Sequence, residues 1–89
     1  MFDTRTVENF RYLLEEAVRD YTRANNENQK LLLLMGKAAL NGETVDSERV
    51  QQYRAEYEDN KVTMTVSKDQ FEFTKRKMLD MINNLAMPE

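Results

Sequence analysis

The sequence predicts an all-α fold: an antiparallel two-helix coiled-coil hairpin, expected to pair further into a four-helix bundle. Three observations carry this expectation. Apolar residues recur at alternating spacings of three and four along two long stretches, a single Asn-Gly turn separates those stretches, and only two Gly and one Pro interrupt 89 residues that are 33% charged and 40% hydrophobic. Alternating three-four spacing is the heptad signature of helices packed along a seam, and a charged composition poor in Gly and Pro suits long helices. The length corresponds to one domain over residues 1–89, and so short a chain buries only a modest share of its surface alone.

The first helix is expected at about residues 4–40. Its start, Phe2–Val7 (FDTRTV), places Asp3 as an N-cap acceptor for the free N–H groups of the first turn, with Phe2 and Val7 at the positions of a hydrophobic staple. Its seam runs through Val7, Phe10, Leu14, Ala17, Tyr21, Ala24, Asn28, Leu31, Met35 and Ala38. Asn41-Gly42 ends it, because Gly42 can take the left-handed conformation that closes a last helical turn.

A turn over residues 41–46 leads to the second helix, at about residues 47–85. The opening pattern recurs at Val45–Val50 (VDSERV), with Asp46 as the expected cap and Val45/Val50 as the staple. The second seam passes through Val50, Tyr53, Tyr57, Asn60, Met64, Ser67, Phe71, Thr74, Met78, Met81 and Leu85, and Pro88 marks its end. Within it, Val62, Met64 and Val66 alternate with Thr63 and Thr65 in a way that also suits a strand, but no second strand candidate exists to pair with it.

Folding the chain back at the turn pairs each seam residue of the first helix with the one whose number completes a sum of 88, from Val7/Met81 to Ala38/Val50. Small residues then meet large ones, Ala17 against Phe71, Ser67 against Tyr21 and Ala24 against Met64, as constant layer volume requires. Asn28 falls opposite Asn60. A mutual amide hydrogen bond there would spare each side chain the roughly 1–3 kcal/mol cost of burial without a partner, and would reject other registers.

Apolar residues off the seam are the first candidates for a binding surface: Leu32, Leu33 and Leu34 on the first helix, and Val62, Val66 and Phe73 on the second. Charge supplies the other candidates. Arg54, Lys61, Lys68 and Lys75 recur every seven residues along one edge of the second helix, which should face Arg11, Val18, Asn25 and Leu32, none of them acidic. Acidic residues gather instead at Glu8, Glu15, Glu16 and Asp20 on the first helix.

Chemistry is not expected of this chain. His and Cys are both absent, which removes Ser-His and Cys-His nucleophile pairs, thiolate metal sites and the Glu-x-x-His sets of four-helix di-iron centres. No glycine-rich phosphate loop and no calcium-loop spacing occurs. The reading is a non-enzyme without cofactor, cytoplasmic with secretion lacking a cleavable signal left open, and without a membrane span, since the longest apolar run is Leu31–Met35.

The expected function is a small protein–protein interaction module, an adaptor, chaperone or inhibitor of bacterial or phage type. It would bind a protein partner or a second copy of itself through the apolar stripe and the basic edge, with a homodimer as the expected state. The alternative is a self-assembling or secreted structural hairpin subunit. In length, in two long helices and in Leu40-Asn41-Gly42 at the turn the chain resembles the Trp-x-Gly secreted hairpin family, but it lacks Trp altogether, so that resemblance is not adopted. A weak nucleic-acid binder using the basic edge is the third reading. The net charge of −3 and the absence of an aromatic platform disfavour it.

Overall fold

A computed structural model describes the backbone of residues 4–86 and the side chains of residues 4–84. Helices α1 (Thr4–Leu40) and α2 (Glu48–Ala86) pack along one another as a helical hairpin measuring 69 × 18 × 15 Å. No strand occurs among the described residues. The Val62–Val66 run is helical: Thr63 and Thr65 turn their hydroxyls back to donate to the carbonyls of Asp59 (3.4 Å) and Lys61 (3.1 Å). This i→i−4 bonding is one way a β-branched hydroxyl residue fits into a helix.

The turn begins as the sequence predicts. Gly42 has φ of +85°, its N–H donates to the Ala39 carbonyl (3.0 Å), and the Glu43 N–H reaches back to the Ala38 carbonyl (3.0 Å). These two bonds are the nested pair of a Schellman cap, satisfying carbonyls that the end of α1 would otherwise leave open. Lys37 in the last turn of α1 and Glu48 in the first turn of α2 each carry the sign that the helix dipole favours there.

The start of α2 corrects the expected cap. The Gln51 N–H donates to the Ser47 carbonyl (3.0 Å), so the N-cap position belongs to Ser47 and not to Asp46. Thr44 shifts the boundary, accepting from the Asp46 N–H on its hydroxyl (3.3 Å) and from the Ser47 N–H on its carbonyl (3.0 Å). The chain therefore completes a turn before the helix begins. Ser47 Oγ donates to Glu43 Oε1 (2.9 Å), and the second carboxylate oxygen of Glu43 lies 3.9 Å from Arg49. The staple does not form, since Val50 is buried while Val45 is 62% exposed. Asp3 and the Phe2/Val7 staple lie outside the described residues.

The core is the seam. Ala17, Ala24, Asn28, Leu31 and Ala38 of α1 and Val50, Ser67 and Thr74 of α2 are buried, and all eight belong to the two predicted seams. Small side chains are prominent among them, because at those levels the larger residue reaches across from the other helix and keeps part of itself in solvent. Asn60 Nδ2 donates to Asn28 Oδ1 (2.9 Å), and Asn28 Nδ2 donates to the Tyr57 carbonyl (3.2 Å). The expected opposition of the two amides is thus present, fixing the level at which the helices meet.

Among the described residues no large side chain is fully buried. A two-helix layer has only one internal face, so each large seam residue keeps an edge in water. This leaves two long sides of the hairpin on which partly covered seam residues and their flanking rows are continuous.

Candidate functional site

Grooves between the helices identify the two sides. One is lined by Ala17, Val18, Tyr21 and Thr22 of α1 with Ser67, Lys68 and Phe71 of α2. A second apolar groove adjoins it through the shared Val18 and adds Leu14, Glu15 and Arg19. Residues seven apart return to nearly the same helix face, so Arg11 and Leu32 belong to this side with Val18, and Arg54, Lys61 and Lys75 belong to it with Lys68. The other side has a groove lined by Glu27, Lys30 and Leu31 with Glu56, Asp59 and Asn60. By the same spacing Leu34 joins Glu27 there, and Val66 and Phe73 join Asp59. The first side is basic and the second is mainly acidic in its middle.

This division splits the apolar residues that the sequence groups together. Leu32, Leu33 and Leu34 are all exposed, but consecutive helical residues point about 100° apart. Leu32 therefore lies on the basic side, Leu34 on the acidic side and Leu33, 69% exposed, on the back of α1. Val62, Val66 and Phe73 are exposed along the outer and acidic-side surface of α2. Counted from the Asn28–Asn60 pair, Leu33 is level with about residue 55, so Phe73 is some 27 Å further along the rod at 1.5 Å per residue. The hairpin brings together Val62 with Val66 and Phe73, and Leu32 with the basic column. It does not bring the two sets onto one surface.

The basic column keeps its charge uncompensated. Lys61 reaches Glu58 (3.8 Å) and sits 5.8 Å from the Tyr57 ring centroid, whereas Arg54, Lys68 and Lys75 have no ion pair among the described residues. Across from them, Arg11 holds Glu15 (3.0 Å). That hydrogen bond, reinforced by the Glu15 charge and by Glu8, raises the Arg11 guanidinium above its ordinary pKa. Arg23 and Asp20 form the other α1 pair, at 3.4 Å. Phe73 is 58% exposed, and Lys77 Nζ lies 5.5 Å from its ring centroid. The cation and its stem cover part of that ring.

Sequence reasoning missed the partly exposed seam residues as surface. Tyr21 is 40% exposed, Phe71, Leu14 and Met78 are half-buried, and Val18 beside them is 52% exposed, giving the basic side an apolar floor. The signal was present in the small partners Ala17 and Ser67, which recess the surface between Tyr21 and Phe71. Among the described residues, no group of three or more His, Cys, Asp or Glu side chains is placed to hold a metal ion, and no helix is long and apolar enough to cross a membrane.

Fold and surface together define a class of protein, a helical hairpin whose two long sides differ in charge and both carry exposed apolar residues. Compared with known proteins, the chain matches no family model, no curated protein and no solved structure.

Proposed function

We propose that this chain is a non-enzymatic protein–protein interaction module, an antiparallel coiled-coil hairpin that acts by laying a long side against another helical surface. The observation that carries this reading is the combination on one side of three unpaired cations, Arg54, Lys68 and Lys75, with exposed Val18 and Leu32 and an apolar groove floor. Apolar area supplies affinity and the charged row supplies orientation and association rate, the division of labour found in helix-face recognition. An adaptor, chaperone or inhibitor uses such a surface, and pairing of two hairpins gives a four-helix bundle.

The test is affinity capture with the tagged chain from its own source cells, alongside measurement of its solution mass. The expected result is recovery of a defined protein, or of a second copy, by the wild type. A chain that recovers nothing and remains monomeric at high concentration would refute the interaction reading. A self-assembling structural subunit is the second reading, favoured by the 69 Å rod shape. It requires a mass that keeps growing with concentration and does not stop at a defined oligomer.

A further inference from the structure

Resting on the interaction reading, the inference concerns which side is covered and by what. The solvent-accessible surface is 7247 Å² for a chain of 10.6 kDa. A compact monomer of that mass exposes about 5,500 Å², so this hairpin carries an excess of about 1,700 Å². A standard protein interface removes about 800 Å² from each partner. One such contact therefore absorbs about half of the excess.

Charge selects the side and the occupant. On the basic side, Lys68 and Lys75 of α2 have no acid across the seam, because α1 presents Arg11 and Val18 there. The acids bordering that side on α1 are Glu8 and Glu15, seven residues apart. Glu8 has no ion pair among the described residues, and Glu15 is engaged only by Arg11, with its side chain 57% exposed. These groups complement the lysines only if α1 of another hairpin is brought over α2.

We propose that the basic side is a self-association face, on which a second copy docks about a two-fold axis parallel to the rod, α2 of each chain lying over α1 of the other. The register follows from the seam. Lys75 lies fifteen residues beyond Asn60 and Glu15 thirteen before Asn28, so the two stand within two residues, or about 3 Å, of the same height. The two-fold preserves height, so Lys75 of each chain meets Glu15 of the other, twice per dimer. Val18, close in height to Phe71, enters the second copy's groove between Ser67 and Phe71. The isologous contact closes at two chains.

The experiment is sedimentation equilibrium on the full chain over a wide concentration range, with the single variants Lys75→Glu, Glu15→Lys and Val18→Glu, and with an equimolar mixture of the first two. Far-UV circular dichroism checks that each variant keeps its helicity. The wild type is expected to be a dimer, and each variant alone to associate about tenfold or more weakly. The mixture is the decisive arm: in the mixed dimer both charge pairs are again opposite in sign, one native and one reversed, so association returns to near the wild-type level. A wild type that stays monomeric overturns the proposal and leaves the face to an acidic heterologous partner, which the capture experiment detects. A dimer indifferent to all three variants, or a mixture that does not recover, also overturns it; the interaction reading then survives with the interface elsewhere, the Val66/Phe73 side being next.

Discussion

Removing the side chain of Asn60 tests the seam at its most specific point. In the hairpin, Asn60 Nδ2 donates to Asn28 Oδ1, and Asn28, only 5% exposed, spends its own Nδ2 on the Tyr57 carbonyl. Asn60→Ala therefore leaves Asn28 Oδ1 without its donor in a place that water reaches poorly. An orphaned buried acceptor costs about 1–3 kcal/mol, and 2 kcal/mol lowers the melting temperature of a domain this size by roughly 8–16 °C. The assay is urea and thermal unfolding followed by circular dichroism, with chain concentration held fixed so that association does not shift the midpoint. Replacing both residues by Leu removes the polar pair without orphaning either member, and should match or exceed wild-type stability while weakening the preference for one register. The Asn60→Ala, Asn28→Ala cycle should show a coupling of about 1 kcal/mol, beyond the scatter of independent sites. Additive losses, or an Asn60→Ala protein as stable as wild type, would refute the assignment of the pair as a register lock.

The two glycines should respond in opposite directions. Gly42→Ala, at φ of +85° with nothing within 4 Å of the added methyl, meets only backbone strain and is expected to cost about 1–2 kcal/mol of unfolding free energy. Gly36→Ala, in the middle of α1 and equally open, should add about 0.5–1 kcal/mol. Phe71→Glu places a charge in the half-buried seam and should cost about 3 kcal/mol or more, whereas Phe73→Glu, two residues on and 58% exposed, should leave helicity and melting temperature nearly unchanged. Equal effects at 71 and 73 in a melting experiment would show the seam to be misassigned.

The helices and their facing residues were legible because a period of 3.5 leaves little freedom. Once Gly42 sets the reversal, every seam residue has one partner, and Asn28 meeting Asn60 follows from counting. The cap of α2 was less legible. Asp46 and Ser47 are both good cap residues, and the choice between them rests on Thr44, whose hydroxyl and carbonyl gather the next N–H groups into a turn. The candidate surface was legible only in part. Grouping Leu32, Leu33 and Leu34 with Val66 and Phe73 ignores the 100° step between neighbouring helical residues and the distance along the rod. The basic column was found because seven-residue spacing survives folding. The apolar floor beside it was missed because Tyr21 and Phe71 were counted wholly as core, although a two-helix layer cannot cover them.

The capped turn also sets an order of events in time. Seam partners next to it, Ala38 and Val50, are separated by only twelve residues of chain, while partners near the open end span most of the sequence. Closing short loops loses less entropy than closing long ones, and local contacts form faster. Zipping from Gly42 outwards therefore brings Val18, Phe71 and Lys75 into register late, after the Asn28–Asn60 pair is in place. A newly made or partly frayed chain does not yet display that surface, so only a hairpin that has closed most of its length is competent to recruit anything there.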